Sequence, residues 1–444
     1  MTSFLILLYI PLKINLYVYW ISFSVILFTN LLITIELIVA IYIYIRMMHD
    51  RQIMVRPSTT PGRNRNINPD INMGVIIPAF LPNEYPVLID TLKSYNYIDY
   101  PYGKIILILV TNGQIPNLEW VNMIKNLRNT DIPTSNLEIH HNHLVTSHSK
   151  AENINHGITF LQNLNLKYIS IFDADHQPER NSFILAINIM HFNLGYHVNN
   201  NGGKSVDMVQ GRCLIRNNSI LNMEFQEIYL IHHWAGTTIR RYSLFGGSNA
   251  FWRTEALSDI RMSDKMLTED IDAGIRAWLK NYNLAFCPGI ISYELAPTGI
   301  KSLYHQRIRW AQGWLQVTLK HTKEILTSNK SIWEKVVAFF LFPYREFHHY
   351  LSLNVLPAFV TYYIRTQTID LELLNLSYLI LIFELFKILI VLIGGYLNGK
   401  SITIKQVLLY LTVLFPYEIF KHIITLEAHF RNMIGVKTWV LTRV

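Results

Sequence analysis

The chain is short of charge and nearly without cysteine. Only 16% of its 444 residues are charged and 50% are hydrophobic, with a mean hydropathy of +0.20. That is too apolar for an ordinary soluble protein and too polar for one built only of membrane helices. A mixed protein, part soluble domain and part membrane segments, is expected. The two cysteines, Cys213 and Cys287, lack zinc-ligand spacing, and so small a number excludes a disulfide framework. There is no internal repeat and no long low-complexity tract, which removes solenoid and array architectures. The extreme N-terminus has no charged leader region and no small-residue cleavage site, which argues against a cleaved signal peptide. Net charge is +8, but the hydrophobicity speaks against a nucleic-acid partner.

The apolar residues fall into blocks. Residues 4–45 are almost continuously apolar. A membrane helix needs about 20 residues, so residues 1–48 have room for two. Arg46, Arg51, Arg56, Arg63 and Arg65 follow, and the positive-inside rule then makes the next domain cytoplasmic. Residues 56–71 read as a linker. Between 72 and 300, short apolar runs (74–77, 105–110 and 168–172) alternate with helical patterns near 84–96, 116–128 and 150–164. That alternation predicts an α/β domain with a mainly parallel, doubly wound sheet. Such sheets bind ligands beyond the carboxyl ends of their strands, where Pro78-Ala79-Phe80, Thr111-Asn112-Gly113 and Asp173-Ala174-Asp175 lie. Residues 301–349 mix aromatic and basic residues and read as helices on a membrane surface. Apolar segments near 350–366, 376–398 and 405–424 predict C-terminal membrane helices, with 333–344 ambiguous and 425–444 a cytosolic tail. Glu36, Glu384 and Lys387 are ionisable residues within these segments and need a partner or a wet cavity.

Three polar strings carry chemistry. Asp173 and Asp175 end a strand, and a spacing of two puts both carboxylates on one side of the chain. Oxygen ligands of this kind suit Mg²⁺ or Mn²⁺ bound together with substrate phosphates, and His176 adds a nitrogen. An acidic turn would look the same. Thr268-Glu269-Asp270 opens a helix. Thr268 suits the N-cap and the acidic residues complement the helix dipole, while Asp270 also suits a general base. Gln306, Arg309 and Trp310 share one helix face at i, i+3 and i+4. There Arg309 can grip pyrophosphate, and Trp310 offers a flat face to a sugar ring. An interfacial helix with an aromatic anchor would carry the same residues.

Taken together, these strings resemble those of membrane-integrated family 2 glycosyltransferases, the group of cellulose, hyaluronan and chitin synthases. The resemblance rests on Val75 to Pro78 with Asn83-Glu84, Lys150 to Asn153, Phe172 to His176, Gly246 to Ala250, Thr268 to Asp272 and Gln306 to Gly313. Trp439 and Arg443 resemble a tail of such enzymes. It implies a GT-A catalytic fold and inverting transfer from a UDP-sugar, with Mg²⁺ or Mn²⁺ as cofactor. Asp270 is then the catalytic base. Pro78, Phe80, Glu84, Asn112, Lys150, Asp173 and Arg309 lie at the nucleotide sugar, and Asp173, Asp175 and His176 at the metal. Gly247, Ser248, Glu269, Gln306 and Trp310 lie at the acceptor. One departure stands out: many relatives carry an acidic pair where this chain has Asn112, which leaves donor selectivity open.

The function expected is elongation and export of a β-linked polysaccharide from UDP-glucose, with a growing glycan and membrane lipid as partners. Whether accessory subunits take part is not legible. The alternative is a single-transfer membrane enzyme glycosylating a ceramide, diacylglycerol or polyprenyl phosphate. A transporter with a dead catalytic domain is disfavoured by the intact Asp175 and Asp270. The expected location is a plasma membrane, multi-pass, with the catalytic domain in the cytoplasm.

Overall fold

A computed structural model describes residues 9–49, 71–115, 136–193, 205–217, 221–368 and 403–436, with isolated positions at 7, 120, 122, 219, 378, 382–383, 385–389 and 391–393. The expected linker, the helix near 116–128, Glu384, most of the 376–398 segment, and Trp439 and Arg443 lie outside the described residues.

Among the described residues, eight strands form one sheet: β1 Met73–Phe80, β2 Ile105–Asn112, β3 Leu137–His143, β4 Tyr168–Ile171, β5 Gln177–Pro178, β6 Met208–Ile215, β7 Ala250–Arg253 and β8 Leu284–Glu294. Their order is β3-β2-β1-β4-β7-β6-β8-β5. Neighbours β1–β2, β2–β3, β1–β4 and β6–β8 are parallel, whereas β7 runs antiparallel to β4 and β6, and β5 antiparallel to β8. The sheet is therefore mixed rather than doubly wound throughout. Strands β1, β2 and β4 read as nearly unbroken apolar runs because both faces are covered. In β1, Ile76 packs into one core and Val75 and Ile77 into the other. In β2, Ile106, Ile108 and Val110 face the first core, and Ile105, Leu107 and Leu109 the second. Each such side chain contributes about 1.5–3 kcal/mol when fully buried.

The α-helices with both ends among the described residues are α1 Leu12–His49, α2 Leu81–Ser94, α3 Lys150–Asn163, α4 Ser182–Met190, α5 Leu221–Glu227, α6 Gly236–Arg240, α7 Thr254–Ile260, α8 Glu269–Leu279, α9 Ile300–Thr327, α10 Ile332–Phe339, α11 Arg345–Ser352, α12 Val355–Thr366 and α13 Ile404–Met433. π-Helical turns, Ile228–Ala235 and Phe340–Tyr344, join α5 to α6 and α10 to α11.

Two helices were expected within residues 1–48, of which residues 1–6 and 8 lie outside the described residues. The chain from Leu12 to His49 is a single 38-residue helix. Pro11 lies just before its start, where proline is tolerated, and Lys13 and Asn15 fall in its first turn, where polar groups do not break a helix. Among the described residues, Leu12–Ile43 is the one straight helix long and apolar enough to cross a membrane. A second candidate is α13, bent by 55° between Leu414 and Pro416. Helix α12 has 12 residues, so its rise of about 18 Å falls short of the roughly 30 Å of a hydrocarbon core. Helix α1 packs Tyr19 and Phe23 against Ala358 of α12. Its Glu36 meets His232 at 2.8 Å, and Lys387 meets Glu227 at 3.3 Å.

Candidate active site

The site forms where β1, β2 and β4 end. Each strand stops at a turn that frees polar groups at the same edge, and the parallel register brings Phe80 of β1 beside Asn112 of β2. Pro78 is paired within β1 and buried. The Phe80 backbone N–H donates to Glu84 Oε2 at 2.6 Å. Burial raises the Glu84 carboxyl to about 8, helped by the charges of Asp173 and Asp175.

Beyond β4, Asp173 pairs with Lys150 Nζ at 2.5 Å. Lys150 opens α3, whose N-cap Ser149 accepts from Glu152 N, so the ammonium is mounted on a fixed helix end. Lys150 also lies 3.8 Å from Glu269 Oε1 and 3.5 Å from the Gly247 carbonyl. Burial alone would lower its pKa, but Asp173 and Glu269 hold the ammonium well above its ordinary range. Burial likewise works to raise the Asp173 carboxyl, and the charge of Lys150 overcomes it, leaving Asp173 below its usual value. The Asp173 N–H donates to Ser248 Oγ at 3.0 Å. Asp175 accepts from Leu295 N at 2.9 Å through Oδ2.

Asp270 joins this group through the 246–249 loop. Gly247 has φ +81, and a Cβ built on it would lie 2.6 Å from Asp270 Oδ2. Only glycine takes that conformation freely and lets the carboxylate approach so closely. Burial and the neighbouring Glu269 charge push the Asp270 pKa up to about 7, against the lowering pull of Lys150 and Arg309. Asp270 therefore has the proton affinity of a base working near neutrality.

The helix that carries Gln306, Arg309 and Trp310 is held against this group. Arg309 Nη1 donates to the Leu267 carbonyl at 3.4 Å, and its charge acts on both Asp173 and Asp270. Gln306 Oε1 is buried and accepts no hydrogen bond from the protein, so it is an acceptor awaiting a hydroxyl or amide. Trp310 is turned into an apolar cluster with Phe286 and Leu303, and the Arg307 guanidinium lies over its ring at 4.6 Å. Arg307 in turn pairs with Glu224 at 2.6 Å. Trp310 is thus oriented by this cluster and by Arg307.

Three expectations change in detail. Thr268 takes the N-cap position of α8, but its side chain makes no capping bond. Its methyl instead fills the space over Gly313, where a Cβ would come within 2.4 Å of Thr268 Cγ2. Asn112 turns inward: its Nδ2 donates to the Ser147 carbonyl at 3.0 Å and its Oδ1 accepts from Asn153 at 2.9 Å. His176 is buried, with Nδ1 3.0 Å from Ser292 Oγ and Nε2 3.5 Å from Glu294. Burial disfavours its charge, but Glu294 outweighs burial and raises its pKa.

Some organising residues escape a reading of the sequence. Gln210, buried in β6, accepts from Gly246 N at 2.9 Å and donates to the Ser248 carbonyl at 2.8 Å, clasping the glycine loop. Its signal was a polar residue within the apolar run Met208–Ile215. Asp272, fully buried, pairs with Arg276, Lys320 and His321 at 2.7, 2.7 and 2.8 Å. It locks α8 to α9, and no local pattern announces partners 48 residues away.

The close approach at Gly313 is testable. Gly313→Ala has no room beside Thr268, and overpacking of this kind costs about 1–3 kcal/mol. A displaced α9 would misplace Arg309 relative to Asp270. The expected result is a lower melting temperature and a loss of transfer of about tenfold or more, read by thermal denaturation and initial rates. Wild-type behaviour in both would show that α9 does not set the geometry.

Known proteins resemble this chain in sequence and in fold. A family model described as Glycosyl transferase family group 2 matches residues 168–415. A probable glucomannan 4-beta-mannosyltransferase of Oryza sativa subsp. japonica is 28% identical over 178 residues, covering 38% of this chain and 30% of that protein. Glucomannan 4-beta-mannosyltransferase 9 of Arabidopsis thaliana is 26% identical over 183 residues, 39% of this chain and 32% of that one. The alignments thus span about a third of these relatives' length. Among solved structures, the mannosyltransferase PcManGT from Pyrobaculum calidifontis, in complex with GDP-Man and Mn²⁺, superposes with a TM-score of 0.55. It covers 94% of this chain and 100% of that chain at 15% identity. That likeness shows the fold, a GT-A-like domain with a mixed, mostly parallel sheet.

Proposed function

Because the chain belongs to glycosyl transferase family group 2, we propose that it transfers a hexose from a nucleotide-diphosphate sugar to a hydroxyl of a growing β-glycan, inverting the anomeric carbon. The observation that carries this reading is Asp270: a carboxylate raised to about 7 beside Gly247, in the same group as Lys150, Asp173 and Arg309. Asp270 takes the acceptor hydroxyl proton as the oxygen attacks, and the donor's diphosphate leaves from the opposite face. Lys150 and Arg309 place positive charge where that diphosphate gathers negative charge. Glu84 and Asn112 brace the strand ends beneath the nucleotide, and Gly247 and Ser248 border the acceptor.

Asp173 and Asp175 suit a divalent cation. Both follow the end of β4 and both are partly exposed; Lys150 engages Asp173 Oδ1 and Leu295 N engages Asp175 Oδ2, while Asp175 Oδ1 lies 4.0 Å from His176 Nε2. Mg²⁺ or Mn²⁺ held there would neutralise diphosphate charge. His176, turned toward Ser292 and Glu294, supports this pair from behind.

UDP-glucose is the donor expected from the sequence. The mannosyltransferase PcManGT, in complex with GDP-Man, makes GDP-mannose the competing donor. Helix α1 supports a membrane-bound enzyme, since many of its apolar side chains, including Ile21, Leu31, Ile38 and Ile45, face outward. Residues 1–48 and 350–424 then anchor the domain of residues 72–300 to the bilayer, with residues 301–349 at the interface.

The test is direct. Purified membranes receive labelled UDP-glucose or GDP-mannose with Mg²⁺ or Mn²⁺, and the product is sized and digested with linkage-specific glycosidases. A long β-glycan supports the reading; a labelled lipid, or no transfer from either donor, sinks it. Trp310→Ala is expected to shorten the product by several-fold, since a stacking face is worth about 1 kcal/mol or more. Nucleotide affinity should stay unchanged. Product of wild-type length would remove Trp310 from the acceptor site.

A further inference from the structure

Away from the catalytic group, three histidines converge where α11 meets α13. His348 and His349 come from α11 and His422 from α13. One nitrogen from each ring lies within 4.8 Å of the others, and the Nδ1 atoms of His349 and His422 are 2.7 Å apart. The transfer reaction as proposed assigns these residues no part. We propose that His348, His349 and His422 form a site for a borderline transition-metal cation, zinc(II) above all, which ties α11 to α13.

Several observations carry the assignment. Two imidazole nitrogens 2.7 Å apart share one proton between two lone pairs. A cation replaces that proton, which moves to the outer nitrogen of the donor ring, so neither histidine need change its charge. Tetrahedral zinc with Zn–N distances of 2.0–2.1 Å sets its nitrogens about 3.3 Å apart. The observed spacings, from 2.7 Å up to 4.8 Å at most, bracket that value. His348 is already oriented: its Nδ1 donates to the Arg345 carbonyl at 2.7 Å, which leaves the Nε2 lone pair free. Metal-bound histidines are usually held in this way by a partner on the second nitrogen. His429, on the same face of α13 two turns on, is different. Its nitrogens are taken by Tyr350 and Glu346 at 2.6 and 2.7 Å, so the free lone pairs are confined to the trio.

Three neutral nitrogens select Zn²⁺, Co²⁺, Ni²⁺ or Cu²⁺ and not Mg²⁺, which prefers oxygen. The site is therefore chemically separate from Asp173 and Asp175, and the proposal stands whether or not transfer is found. The full chain, purified in detergent without a polyhistidine tag and stripped with chelator, is titrated with Co²⁺. The expected result is the intense visible absorption of four-coordinate cobalt, saturating at one ion per chain. It should persist in the Asp173→Asn, Asp175→Asn double variant and disappear on adding Zn²⁺ but not Mg²⁺. His422→Ala and His349→Gln should each weaken binding by about tenfold or more. His348→Gln, which removes one ring and keeps an amide, carries the same test if His422→Ala does not yield monodisperse protein. Absence of the band in the unaltered chain, or its survival at full affinity in the histidine variants, overturns the proposal.

Discussion

Asp270→Asn is expected to lower transfer by two to four orders of magnitude, the usual worth of a positioned general base, with nucleotide affinity nearly unchanged. The amide keeps the shape of the carboxylate, including its acceptor oxygen toward Ile271 N, which donates to Asp270 Oδ1 at 2.8 Å. What it loses is the ability to take a proton. The pH dependence follows from the same group. Its pKa lies near 7, so kcat/KM should rise with pH up to about 7 and flatten above it, and this rise should vanish from the residual activity of the variant. Stability should move the other way. A carboxyl whose folded pKa is raised favours the fold while it is protonated and penalises it once pH climbs from the ordinary carboxylate range through about 7. At pH 8 the amide escapes that penalty, so the variant should melt higher than the wild type. Initial rates, nucleotide titration and thermal denaturation at pH 6 and pH 8 check all three. Normal turnover in Asp270→Asn would refute the assignment of the base.

Two residues further on, Asp272→Asn should do the reverse. Asp272 is fully buried between Arg276, Lys320 and His321. Burial alone would raise its pKa, but the hydrogen bonds from His321 and Lys320 hold it far below the ordinary carboxylate range. Removing one partner of a buried charge cluster costs about 3–5 kcal/mol, because the remaining charges lose their compensation. The melting temperature of the solubilised chain should fall accordingly. The stability Asp272 contributes is present above the ordinary carboxylate pKa and is lost only as pH falls through its depressed folded value. The variant should therefore melt below the wild type at both pH 8 and pH 5. A substitution that lowered activity while leaving the melting temperature intact would contradict the structural role.

The contrast between Asp270 and Asp272 shows where sequence reading stops. Both stand in one short acidic string at a helix start, and helix periodicity separates them by about 200° around the axis. The pattern cannot say that one faces a glycine loop and the other a lysine and a histidine from a distant helix. Those partners are chosen by how α8 packs on α9, and Gly313 sets how closely they meet.

The same limit holds elsewhere. The alternating apolar and polar blocks were enough to predict β1, β2, β4 and the polar turns at their ends, because a strand buried on both faces must be apolar throughout. They predicted a parallel sheet but not the antiparallel insertion of β7 between β4 and β6, since pairing direction depends on residues far apart in the chain. Asn112 was legible as a polar residue at a strand end; its engagement with Ser147 and Asn153 was not. At the N-terminus, apolar length did not say where a helix starts; among the described residues the backbone from Leu12 to His49 is one uninterrupted helix.

The resemblance to family 2 glycosyltransferases pointed to Lys150, while composition and spacing determined that this chain pairs an α/β domain with strongly apolar flanks and picked out Asp173, Asp270 and Arg309. Residue type and local period are enough for that, because they reflect what each short segment must bury or expose. Only the tertiary structure decided that these side chains meet, that Gly247 leaves space for the Asp270 carboxylate, and that three histidines from two helices gather elsewhere. Proton affinity and metal binding depend on distances of a few ångströms between groups tens to hundreds of residues apart, and those distances exist only once the chain has packed.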